Sequence, residues 1–154
     1  MVSGGVTMIR TVLGDINKEE LGTTLAHEHF IIDLARIRHD NYSLIETVEE
    51  VVPEIKAAMD TGIEAAFEVS TIDLSRDAVK LREISRITGL KIVCSTGFYL
   101  TQYHPEWLDD ASAEDIAQVY IKELLHTAFL FVLKTLLRQR FFVFQRRQLR
   151  LVHL

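Results

Sequence analysis

Thr24-Leu25-Ala26-His27-Glu28-His29-Phe30-Ile31-Ile32 reads as one β-strand. Its apolar residues, Leu25, Phe30, Ile31 and Ile32, suit a strand buried on both faces, as in a parallel sheet. Side chains alternate along a strand, so His27 and His29 project to one face and Glu28 to the other. Two imidazoles at i and i+2 can reach one metal ion from a rigid backbone. Imidazole suits zinc and several other first-row metals. Taken alone, the pair reads equally well as two hydrogen-bonded core histidines with no metal. The residues on either side decide between the two.

Upstream, residues 7–14 alternate enough for a short strand ending at Gly14. Asp15-Ile16-Asn17 reads as a turn, and Lys18 to Leu21 as a helical turn closed by Gly22. Downstream, Asp33 to Tyr42 is a polar loop holding Arg36, Arg38, His39 and Asp40, and His39 reads as a solvated loop residue rather than a ligand. Ser43-Leu44-Ile45-Glu46 has the pattern of a capping box. Leu44, Val48, Val51, Val52, Ile55, Ala58 and Met59 then recur with helical period up to a stop at Gly62. Pro53 inside this run predicts a kink, or two helices with Pro53 opening the second.

The alternation of strand and helix continues. Residues 63–70 form a second strand, and Asp73 or Ser75 caps a helix whose apolar stripe is Ala78, Leu81, Ile84 and Ile87, ended by Gly89. Residues 90–96 form a third strand, a long loop runs from Gly97 to Asp110, and Ser112 caps a third helix with Ile116, Val119, Tyr120 and Leu124 inward. Repeated βα units imply a parallel sheet with right-handed crossovers. The long polar connections follow the strands, which puts the functional end at their carboxyl ends, as in a (β/α)8 barrel. Such a barrel takes about 250 residues. The pattern therefore gives an α/β class with three βα units visible.

Composition sets further bounds. The chain has 154 residues, 48% of them apolar and 25% charged, as in a soluble globular domain. Its single cysteine, Cys94, cannot form an internal disulfide and fits a reducing, cytoplasmic setting. Lying in Lys91-Ile92-Val93-Cys94, it reads as a small buried hydrophobe and not a nucleophile. Residues 1–5 lack the basic and apolar pattern of a secretory signal. No stretch reaches the roughly 18 uncharged apolar residues of a spanning helix. The net charge of −5 is unevenly distributed. All 22 acidic residues and 11 of the 17 basic ones precede residue 124, a net of −11, and the other 6 basic residues follow it. No nucleic-acid partner is expected.

Taken together, Thr11-Val12-Leu13-Gly14, Glu20 to His29, Val69-Ser70-Thr71 with Arg76-Asp77, and Ser95-Thr96-Gly97-Phe98-Tyr99 resemble the phosphotriesterase family of the amidohydrolase superfamily, from about Met8 to Leu124. The resemblance implies an α/β TIM-type (β/α)8 barrel, here truncated to about its first three βα units, and a metal-dependent hydrolase of small-molecule esters, phosphotriester or lactone. It implies a divalent cofactor, zinc for choice, with two ions in the complete family site. It carries the buried-metal ligands over to His27 and His29, and an aromatic wall of the substrate pocket to Tyr99. In the family a metal-bridging hydroxide attacks the electrophile, with two cations acidifying the water and polarising the substrate. The family's further ligands come from a strand-four carboxylated lysine, a histidine each on strands five and six, and an aspartate on strand eight. None of those strands is legible here. Lys134 falls near the expected lysine, but its surroundings match nothing and no role is carried over.

Residues 1–124 thus read as the amino-terminal part of a barrel and residues 125–154 as a non-matching tail, rich in Leu, Phe and Arg with no Gly, Pro or acid. One reading makes the tail a basic amphipathic helix for a membrane or partner. The other is a lost reading frame, favoured because resemblance and acids stop together. The expectation is that the tail forms no fourth and fifth βα unit. The chain alone is expected to be inactive, catalytic residues being assigned to none of its positions. The alternatives are a non-catalytic barrel fragment or a binding module acting through the tail. In the loop after strand three, Pro105 and Trp107 read first as anchors pinning the loop to the barrel rim, and only second do His104 and Glu106 read as ligand contacts with Trp107 covering the pocket.

Overall fold

The structure, a computed structural model, describes residues 8–40 and 42–126. What was expected of the tail beyond His126 lies outside the described residues. The chain opens with a hairpin, β1 (Met8–Thr11) and β2 (Gly14–Asn17), paired antiparallel. The single strand expected over residues 7–14 is therefore two, with Val12-Leu13 as the turn. The reason is Val12. It leaves the alternation to bury itself completely in the core, where its N–H donates to the Ile92 carbonyl at 2.9 Å.

The long histidine strand also divides. β3 spans Thr24–Glu28, and Ile32–Asp33 forms a separate short strand, β4. A helical turn, α1 (Ala35–Arg38), leads to β5 (Leu44–Ile45), which pairs antiparallel with β4. That pairing moves the next helix start. Residues 44 and 45 belong to a strand, so the capping box is formed by Thr47 and Glu50, not by Ser43 and Glu46. The Thr47 N–H donates to Glu50 Oε2 at 3.0 Å, and the Glu50 N–H donates to Thr47 Oγ1 at 3.4 Å. Helix α2 (Val48–Met59) is one helix despite Pro53. Pro53 and Glu49 both lie on the solvent face, so the carbonyl left without its N–H partner can be hydrated.

β6 (Ala65–Glu68) follows, then a short 3-10 turn at Ile72–Leu74, and helix α3 (Ala78–Thr88). Neither Asp73 nor Ser75 caps α3. Asp77 does, its carboxylate accepting from the N–H groups of Val79 and Lys80 at 2.9 and 3.1 Å. Of the expected stripe, Leu81 and Ile84 are fully buried, but Ile87 is exposed. Ser85 takes the inward place instead, its hydroxyl donating to the Leu90 carbonyl at 2.6 Å. After β7 (Lys91–Cys94), two 3-10 turns and the Ser112 cap lead into α4 (Ala113–His126). Ile116, Val119 and Tyr120 are half-buried there, whereas Leu124 is 60% exposed.

The central sheet is parallel, in the order β3-β6-β7, with Ala65 opposite both Thr24 and Lys91. One face is covered by α2 and α3. Ala66 and Ile92 from the strands meet Val51, Ile55, Leu81 and Ile84 from the helices in one core. Burying the Val, Leu and Ile side chains contributes on the order of 2 kcal/mol each. On the opposite face of β6, Ala65 is fully buried, whereas Phe67 is 38% exposed among the described residues. β3 is an edge of this sheet among the described residues, so it is not buried on both faces as its composition suggested. Ala26 and His27 are exposed. No described helix is long and apolar enough to cross a membrane.

Candidate metal centre

The site is built on an irregularity in β3. Leu25 pairs with Ala66, but the next pairing is Glu28 with Glu68, so β3 carries one residue more than β6 between them. Such a bulge re-aims the side chains beyond it. Leu25 packs into the helix-side core, while His27, two residues on, lies exposed rather than sharing that burial. The chain then leaves the sheet, and His29 stands just past the strand end. The two imidazoles meet edge to face, with ring centroids 5.2 Å apart and planes at 74°. Their convergence agrees with the i, i+2 spacing. Its cause is the bulge and the strand end, not regular alternation.

His29 is held from one side. Its Nδ1 lies 2.9 Å from the hydroxyl of Ser70, which is fully buried after β6. Burial is the main influence holding the His29 pKa below the ordinary 6.5, and the neighbouring His27 adds to it against the charges of Glu68 and Glu28. A lowered pKa keeps the ring neutral, with one nitrogen lone pair available to a cation.

Glu68 organises the backbone beneath. Its carboxylate is fully buried and accepts from the N–H groups of Phe30 and Ser70, the latter at 2.7 Å. These donors flank His29 on its own chain and on the chain holding its Ser70 partner. The hydroxyl of Ser95, beyond β7, donates to the Ser70 carbonyl at 3.2 Å. The carboxyl ends of all three strands are thus tied together below the histidines. On the helix side, Leu25, Val51, Ile55, Ile63 and Leu90 line a cavity of about 350 Å³ that His29 and Glu28 also border.

Tyr99, the expected pocket wall, stands apart. Its N–H donates to Asp73 Oδ2 at 2.8 Å, its ring lies 5.7 Å from that of Tyr103, and it is 54% exposed. No hydrogen bond or ring contact joins it to His27 or His29. His104 packs edge-on against Phe98 at 5.7 Å, and Phe98 also meets Trp107 and Tyr120 at 5.6 and 6.0 Å. This is the arrangement of a loop anchored to α4. His39 is an exposed helix end with φ +55°. The Cys94 thiol is pushed up to about 12 by burial, which makes it inert. Among the described residues no group of three or more His, Cys, Asp or Glu side chains is placed to hold a metal ion.

Sequence reasoning missed Glu68, Ser70 and Asp73. A signal for two of them was available: Glu68 and Ser70 interrupt an otherwise apolar strand, and a buried polar residue there must find partners.

The description of the phosphotriesterase family matches residues 7–135, taking in every motif that carried the resemblance and continuing past residue 124. N-acetyltaurine hydrolase of Tetraodon nigroviridis is 27% identical over 150 residues, covering 78% of this chain and 43% of the relative. A phospho-furanose lactonase of Mycoplasmopsis synoviae is 30% identical over 122 residues, covering 75% of this chain and 35% of the relative. A resiniferatoxin-binding protein from Rhodobacter sphaeroides superposes with a TM-score of 0.67 at 28% identity, over 75% of this chain and 41% of the other. The chain therefore spans less than half the length of the relatives it matches.

Proposed function

Because this chain belongs to the phosphotriesterase family, we propose that it carries the first-strand half-site of a metal-dependent hydrolase acting on a small-molecule ester, phosphotriester or lactone. The fold that goes with this reading is a TIM-type barrel of which the chain holds about the first three βα units. The observation that carries it is the edge contact of His27 and His29 at 5.2 Å, with His29 anchored through Nδ1. His27 and His29 would hold a divalent metal, zinc by ligand type. When bound, such a metal polarises an ester oxygen and acidifies a water. The chain's own part is to present two imidazoles at a tied strand end, with Tyr99, in the loop after β7, proposed as an aromatic wall of the substrate pocket. A relative named as a lactonase and one named as an N-acetyltaurine hydrolase support a carbonyl electrophile. A cytoplasmic setting fits the single, inert cysteine.

A second reading is favoured by the donor set. With two imidazoles and no third donor beside them among the described residues, this chain by itself is a non-catalytic part of a barrel. A catalytic zinc site uses three protein ligands. The test is titration with Zn²⁺ and Co²⁺, followed by hydrolysis of an aryl phosphotriester and an aryl-substituted lactone. The His27→Ala, His29→Ala double variant is the control. The expected result is metal binding that the double variant loses, with turnover no higher than in that variant. Equal binding by both proteins would sink the metal reading. Turnover confined to the unaltered chain would overturn the reading that the chain alone is inactive.

A further inference from the structure

The contact between His29 and Ser70 does more than fill space. A metal-binding imidazole has two nitrogens, and the one facing the metal is set by the hydrogen bond the other makes. In water a neutral imidazole prefers to keep its proton on Nε2, the wrong tautomer for ligation through that atom. Ser70 Oγ lies 2.9 Å from His29 Nδ1. Ser70 is fully buried, and its backbone is fixed at both ends of the residue. Its N–H donates to Glu68 Oε1 at 2.7 Å and its carbonyl accepts from the Ser95 hydroxyl at 3.2 Å. Glu68 in turn accepts the Phe30 N–H, immediately after His29. The hydroxyl and the imidazole are thus held against each other by one buried carboxylate.

We propose that Ser70 is a positioning residue for His29: its hydroxyl accepts the Nδ1–H, fixes that tautomer and leaves the Nε2 lone pair as the nitrogen offered to a cation. Glu68 is the support that keeps Ser70 and the His29 backbone in register. The part of this concerning metal rests on the half-site reading above, but the part concerning the tautomer does not.

The experiment measures the two separately. Long-range ¹H–¹⁵N spectra of the ring nitrogens, recorded on the metal-free chain well above the imidazole titration range, report which nitrogen of His29 bears the proton. The unaltered chain and the Ser70→Thr variant are expected to hold the proton on Nδ1. Ser70→Ala is expected to move most of the population to Nε2–H. Backbone amide spectra of each variant establish that it is folded. Zinc affinity, read by competition with a chelating dye, is expected to fall about tenfold in Ser70→Ala and to return in Ser70→Thr. A proton on Nε2 in the unaltered chain overturns the proposal, as does a tautomer unchanged in folded Ser70→Ala. If the tautomer shifts as expected while the unaltered chain binds no zinc, the positioning role stands and the metal reading fails.

Discussion

At the scale of single residues, the acid-sensitive group is His29. Its folded-state pKa lies below the ordinary 6.5, chiefly because the ring is desolvated. The unfolded chain therefore takes up the proton more readily than the folded one. The stability that depends on His29 should fall as pH drops through 6.5 and on to the lowered folded value, and this contribution levels off below it. Urea midpoints measured between neutrality and the carboxylate range should show this slope in the unaltered chain and lose it in His29→Gln. Parallel curves would show that His29 is not its source. Glu68 makes a sharper case. Both N–H groups it accepts are within its reach only because a carboxylate has two acceptor oxygens. Glu68→Gln turns an NH2 group toward one of those donors. Leaving a buried N–H unmatched costs about 2 kcal/mol. Urea unfolding of this variant should show a loss of that size, and an unchanged midpoint would refute the account of Glu68 as the clamp beneath the histidines.

At the scale of elements, helix starts here are decided by carboxylates and hydroxyls that the neighbouring strands leave free. Asp77 closes the amino end of α3 by accepting from two backbone N–H groups. Losing such a cap costs about 1 kcal/mol. Asp77→Ala should therefore lower the unfolding free energy by that amount, whereas Ser75→Ala, expected from sequence to be an alternative cap, should change it little. Equal effects of the two would show that the cap is misassigned. α3 ends at Gly89, whose φ of +84° favours glycine. The loops after β6 and β7 are joined by Asp73, through Tyr99, and by the N–H of Ile72 donating to the Gly97 carbonyl at 3.4 Å. Tyr99 thus owes its place to the turn after the preceding strand.

At the scale of the molecule, α4 is secured to the sheet by a partly buried ion pair. Arg76 pairs with Glu123, with only 7% and 18% of the two side chains exposed, and Arg76 also donates to the Ser95 carbonyl. The hydroxyl of Thr96 donates to the same Glu123 carboxylate, and Arg10 reaches the Leu124 carbonyl at 3.0 Å. Removing one partner of a buried pair leaves the other uncompensated, at a cost of roughly 3 kcal/mol. Glu123→Ala should lower stability by about that much and speed amide exchange along α4 more than along α2. Uniform exchange in the two helices would show that the pair does not specify the docking of α4. Among the described residues the outer edge of β3 has no partner strand, and such an edge presents unpaired backbone groups, so this chain should associate at concentrations where closed barrels remain dispersed. Light scattering checks this directly.

The alternation of the three parallel strands with helices, and Gly89 and Ser112 as helix ends, follow from residue type and spacing, because each depends on local geometry that neighbouring residues impose. The caps at Thr47 and Asp77 could not be placed that way. Candidates Ser43, Asp73 and Ser75 are chemically equivalent, and only the β4–β5 pairing and the Tyr99 contact divert them. The same holds for the end of the histidine strand. Its composition suits a longer strand, but the bulge against β6 and the buried carboxylate of Glu68 end it at Glu28. What brings the two imidazoles together is therefore a contact between segments about forty residues apart in the chain. Local spacing puts His27 and His29 close together in the chain, and tertiary packing sets His29 against Ser70.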